Sequence, residues 1–64
     1  LYPASANVHD SLGEALENAG RPDEALVSYS KAVETAAKNG DDRLDIFTAN
    51  RDRVKDLVGQ SKGG

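Results

Sequence analysis

The scarcity of large apolar side chains is the feature that most limits what this chain can fold into. Of its 64 residues only 15 are apolar and larger than alanine, while nine are alanine. That supply suffices for two or three helices sharing one seam, but not for a core around a cleft of ~300 Å³ or more, the size of a small-molecule site. The sequence therefore predicts one small domain, or part of one, that is not an enzyme.

The composition also excludes several kinds of site and partner. Cysteine is absent and His9 is the single histidine, so no disulfide framework, thiolate metal site or histidine cluster can form. No apolar run approaches the ~20 residues of a membrane span, and no signal segment opens the chain. The net charge of −3, with bases interleaved among acids, argues against nucleic acid. We expect no cofactor, metal, nucleic-acid or membrane partner; no compartment is specified, and the cytoplasm is the default expectation.

The first residue bears on whether the chain is whole. Methionine is absent from the sequence, and Leu1 is larger than the residues that normally allow removal of an initiator methionine. We therefore expect the chain to be part of a longer protein.

Glycine and proline divide the chain into three segments with helical spacing of apolar residues. The predicted organisation is a leader at 1–5, helices at about 6–19, 22–38 and 41–58, and a flexible polar tail at 59–64. The residues predicted to mark helix ends are Ser5 or Asn7, Gly20, Pro22, Gly40, and Asp41 or Asp42.

Each segment carries an apolar stripe that should face the core. The stripes are Val8, Leu12, Ala15, Leu16 and Ala19; then Ala25, Leu26, Tyr29, Ala32, Val33 and Ala36; then Leu44, Phe47, Val54, Leu57 and Val58, with Ile46 to one side. Gly13 costs the first helix about 1 kcal/mol relative to alanine, which predicts close approach of another backbone. Asn50 and Arg51 interrupt the third stripe, which predicts one solvated side.

Residues 6–39 resemble one tetratricopeptide repeat, a helix–turn–helix unit of 34 residues. The residues that carry the resemblance are Leu12-Gly13, Gly20, Asp23-Glu24-Ala25, Tyr29 and Ala32. Two positions depart from the family pattern, since His9 stands where tryptophan is usual and Ala37 where proline is usual.

The resemblance implies an all-α fold, in which an antiparallel helical hairpin is covered by a third, capping helix. The residues expected in the hairpin seam are Leu12, Leu16, Leu26, Tyr29 and Val33. Leu44 and Phe47 of the third helix should contact the second helix, near Tyr29, Ala32, Val33 or Ala36. The function implied is protein–protein interaction or scaffolding, without catalysis.

In the family, the first helix lines a groove that holds peptides. The residues at that face are Asn7, Asp10, Glu14 and Glu17. Acidic residues there favour a basic or neutral protein or peptide partner and disfavour a C-terminal carboxylate. A solvated acidic face without a partner is the structural alternative.

A single repeat also leaves the outer side of its first helix uncovered. The groups expected there are Val8, His9 and Leu12, with Leu1 and Tyr2 of the leader. An exposed apolar patch of this kind predicts self-association as a homodimer.

Two other candidate sites have simpler structural interpretations. His9 has no Ser–His–Asp arrangement around it, so we expect a partly buried packing residue. Asp41, Asp42 and Asp45 lack the glycine and distal glutamate of a calcium loop, so we expect a capped helix start.

A second interpretation of the whole chain comes from its N-terminal residues. Tyr2-Pro3-Ala4-Ser5, followed by Val8, Asp10, Ser11 and Leu12, is similar to C-terminal appendages of some bacterial serine hydrolases. In that case the chain would pack on, or dimerise, a larger enzyme.

Overall fold

The computed structural model of the protein describes residues 5–62, and the side chains of residues 5–60. Within that range it contains three helices and no strand: α1 at Ala6–Asn18, α2 at Pro22–Asn39 and α3 at Leu44–Lys62. The predicted all-α fold is confirmed. Leader residues 1–4 and tail residues 63–64 lie outside the described range.

Local sequence signals set the ends of the first two helices, as predicted. Ser5 caps α1, and its hydroxyl oxygen accepts a hydrogen bond from the Val8 amide at 3.4 Å. Pro22 occupies the start of α2, where a missing N–H costs nothing. Gly20 and Gly40 follow the two helices with φ of 77° and 64°, a backbone region that favours glycine.

Both ends of α3 differ from the prediction. The Asp41 carboxylate accepts a hydrogen bond from the Arg43 amide at 2.9 Å, so it closes a turn before the helix, and α3 begins at Leu44. At the other end the helix passes the predicted stop at Val58 and continues to Lys62. Residues 59–62 of the predicted tail are therefore helical. Gly59 weakens a helix but does not end one, and Gln60 hydrogen-bonds back to Asp56 one turn earlier.

Two small clusters of buried residues join the helices. The first contains Ala6, Ala32, Ala36 and Phe47, with Val33 and Leu44 packed against it. The second contains Ala25, Tyr29, Val54 and Val58, with Leu16 and Leu26 packed against it. The first cluster joins the beginning of α1, the end of α2 and the beginning of α3, and the second joins the opposite end of each helix. Consecutive helices are therefore antiparallel. The predicted contact of Phe47 and Leu44 with α2 is confirmed.

The face of α1 that packs on α2 differs from the predicted stripe. Its buried residues are Ala6 and Gly13, whereas Leu12 is 50% exposed and does not fill the seam. A Cβ atom on Gly13 would lie 2.8 Å from the Tyr29 ring, so a side chain, not a backbone, approaches this glycine. On α3, Leu57 was predicted in the core and is 45% exposed.

Candidate functional site

The inner side of α1 meets α3 through polar side chains. The Asp10 carboxylate accepts a hydrogen bond from the Asn50 amide nitrogen at 3.0 Å. Two turns along α1, Glu17 accepts hydrogen bonds from the Tyr29 hydroxyl at 3.0 Å and from Arg53 Nη2 at 3.0 Å, and it also pairs with Arg53 Nη1. Two of the four predicted groove residues are therefore engaged within the chain.

The other two predicted groove residues stay at the edge of this contact. Asn7 and Glu14 are exposed, and within the described residues the side chain of neither forms a hydrogen bond or ion pair. Sequence reasoning missed Asn50 and Arg53 as partners of the acidic face. The polar interruption of the third stripe was a signal for Asn50, because it marks a side that faces other polar groups as well as solvent. No sequence signal pointed to Arg53.

The environment of Glu17 shifts the ionisation of this cluster. The Arg53 hydrogen bond is the main cause that lowers the pKa of Glu17, and the Tyr29 hydrogen bond adds to it, while desolvation opposes both. Burial, together with the Glu17 contact, raises the pKa of Tyr29 to about 12. At neutral pH the site is therefore a carboxylate held by a guanidinium and a neutral phenol, an arrangement that holds α3 in place.

The outer side of α1 is apolar and open. Val8 is 59% exposed and Leu12 is 50% exposed, while Ala15 and Ala19 on the same side are also exposed. His9 lies at the edge and is half-buried. The structure thus places the predicted self-association residues on a surface that the hairpin does not use. The leader residues Leu1 and Tyr2 lie outside the described range.

Asp41 organises the turn between α2 and α3. Asp41 binds the Arg43 guanidinium at 3.1 Å as well as its amide, and Arg43 lies over the Phe47 ring at 5.3 Å. Among the described residues, no group of three potential ligands is placed to hold a metal ion. The turn is therefore a structural link that fixes the start of α3.

One shallow depression of the surface is lined by residues of α3 alone. Because a single helix cannot enclose a substrate, this depression is not a substrate site. Its lining residues are Asp52, Lys55, Asp56, Gly59 and Gln60.

In the part of the chain that the structure describes, none of the helices combines the length and apolar character needed to cross a membrane.

Comparison with known proteins yields no relative. No family model matches the chain, and neither a curated protein nor a solved structure matches it significantly. The tetratricopeptide resemblance therefore stays a prediction. The hydrolase-appendage interpretation does too, because Tyr2, Pro3 and Ala4 lie outside the described residues.

Proposed function

We propose that the chain is a non-catalytic protein–protein interaction module whose contact surface is the outer side of α1. The observation that carries this proposal is the exposure of Val8 and Leu12 on a helix whose opposite side already packs in the fold. A small domain short of large apolar residues gains nothing in stability from leaving two of them in water. Contiguous exposed apolar groups more often serve an interface.

The tetratricopeptide-like pattern of residues 6–39 supports the same function, since such repeats bind proteins and peptides. The groove side of α1 is the weaker candidate surface here, because Asp10 and Glu17 are occupied by Asn50 and Arg53 of α3. Only Asn7 and Glu14 of the predicted groove set remain available to a basic or neutral partner.

Selection from a displayed peptide library on the immobilised chain tests this function. We expect binders whose affinity falls at least tenfold with Leu12→Glu, because a charge would have to be buried in the contact. Val27→Glu is the matched control, since Val27 is 57% exposed on α2, away from the proposed surface. A library that yields no binder would contradict the proposal, and binders sensitive to Glu14→Lys alone would move the surface to the groove.

A further inference from the structure

The exposed apolar residues of α1 have the spacing of a helix–helix seam. Val8, Leu12, Ala15 and Ala19 follow one another at intervals of four, three and four residues, and all four are exposed. Apolar residues at this spacing form a continuous line along one side of a helix and pack against a second helix with the same line. The line lies on the side of α1 opposite Ala6 and Gly13, which are buried in the hairpin.

The residues beside this seam decide which partner fits it. His9 and Leu16 flank it on one side, and Ser11 and Asn18 on the other, so none of the four is Asp, Glu, Lys or Arg. A strongly charged partner would find no complementary group here, whereas a second copy of the same seam would oppose no like charges.

We propose that α1 pairs with α1 of a second copy of this chain, antiparallel about a twofold axis between Leu12 and Ala15. This inference rests on the proposed function, because it names the partner of the same surface. The axis places Leu12 opposite Ala15 of the second copy, and Val8 opposite Ala19 of the second copy. Each large side chain then faces a small one, which lets the helices approach closely without voids.

A parallel pairing lacks this fit. It would stack Leu12 on Leu12 and Val8 on Val8 at one end, and would leave a gap between the alanines at the other. Parallel helices also align their dipoles unfavourably. The roughly three turns of helix from Val8 to Ala19 cover less than the ~800 Å² per partner of a standard interface, so the dimer is weak and forms at sub-millimolar concentration.

Sedimentation equilibrium of the full chain tests the pairing itself. We expect a monomer–dimer equilibrium that Leu12→Glu and Ala15→Glu abolish and that Val27→Glu leaves unchanged, with circular dichroism confirming that each variant is folded. Two exposed positions are substituted so that misfolding of one variant does not decide the result. A monomer at every concentration, or a dimer that both seam variants retain, overturns the inference.

The absence of cysteine in the sequence allows the orientation to be tested by single cysteine substitutions. In the antiparallel dimer, Val8→Cys mixed with Ala19→Cys forms a disulfide between the two variants under mild oxidation. Val8→Cys alone does not, because two copies of that position lie about 16 Å apart along the helix axis. A rapid disulfide between two Val8→Cys copies, with no disulfide between Val8→Cys and Ala19→Cys in the mixture, overturns the antiparallel arrangement. If the chain is monomeric yet displayed peptides still bind in a Leu12-dependent way, the self-pairing fails while the proposed function stands.

Discussion

Gly13 allows the Tyr29 ring to lie directly against the backbone of α1. A Cβ atom at this position would be 2.8 Å from both Cδ1 and Cε1 of Tyr29. The ring cannot easily retreat, because it is 1% exposed and its hydroxyl donates a hydrogen bond to Glu17. The absence of a side chain at Gly13 therefore allows α1 and α2 to pack this closely.

Gly13→Ala should destabilise the protein even though alanine is the better helix former. The gain in helix propensity is about 1 kcal/mol, and the overpacking it causes costs about 1–3 kcal/mol. We expect a lower melting temperature by circular dichroism. Gly59→Ala is the matched control on α3, where a Cβ would meet nothing within 4 Å, and it should raise the melting temperature. Equal stabilisation by both alanines would contradict this account of Gly13.

At the residue scale the sequence located the special position but not its neighbour. A glycine inside a helix indicates close approach by something, and only the packing shows that Tyr29 fills the space. Leu12 shows the opposite error. Its hydrophobicity favoured the core, but the hairpin packs through the small residues Ala6 and Gly13, and Leu12 is left on the opposite side of the helix.

Helix α3 attaches to its two neighbours in different ways. It buries Phe47, Val54 and Val58 against α2, whereas the hydrogen bonds between it and α1 come from Asn50 and Arg53. Apolar burial supplies most of the stabilisation, and exposed ion pairs contribute about 1 kcal/mol or less. The polar pairs mainly fix the rotation of α3 about its axis.

Phe47→Ala should unfold the protein or leave it barely folded. Truncating a buried phenylalanine costs about 3–5 kcal/mol, which is comparable to the whole stability of a domain this small. The preceding residue gives the control: Ile46 is 59% exposed, and Ile46→Ala should change stability by less than ~0.5 kcal/mol. Urea denaturation followed by circular dichroism measures both, and a cooperative transition for Phe47→Ala at the unsubstituted midpoint would show that α3 does not cover α2.

At the element scale, the sequence predicts correctly the helix ends that depend on local chemistry. The ends of α1 and α2 follow from Ser5, Gly20, Pro22 and Gly40, each of which acts within a few residues. The predicted start of α3 was wrong because an aspartate at this place can either cap a helix that begins directly after it or close a turn before the helix. Asp41 closes a turn by accepting a hydrogen bond from the Arg43 amide. The acidic side of α1 was identified, but its partners were not, since Asn50 is 40 residues from Asp10 and no local rule pairs them.

Across the whole molecule, the Glu17 cluster links stability to pH at both extremes. The pKa of Glu17 is lowered by Arg53, so its contribution is present above the ordinary carboxyl pKa and is lost as pH falls through the lowered value. The pKa of Tyr29 is raised from 10.0 to about 12, so its contribution is complete below pH 10 and is lost as pH rises towards 12. Stability should therefore be greatest and nearly constant between these two ranges.

Glu17→Gln should change the pH dependence of stability at both acid and alkaline pH. It removes the carboxylate that pairs with Arg53, so stability near neutral pH falls by about 1 kcal/mol or less and its dependence on acid pH weakens. It also removes the negative charge beside the phenol, so the pKa of Tyr29 should fall below about 12, while burial, the largest cause of the raised value, keeps it above the ordinary value. Phenolate absorbance in a Tyr2→Phe background measures this titration for Tyr29 alone, and urea denaturation across pH measures stability.

Glu14→Gln provides the matched control for this experiment. It removes the same charge from the same helix, but within the described residues the Glu14 side chain contacts neither Arg53 nor Tyr29 through a hydrogen bond or ion pair. If the effect came from net charge, both variants would shift the Tyr29 titration alike, because the chain carries −3 and each substitution removes one acid. If it comes from the cluster, only Glu17→Gln lowers the Tyr29 pKa. Equal titrations in the two variants would show that Glu17 does not hold the phenol.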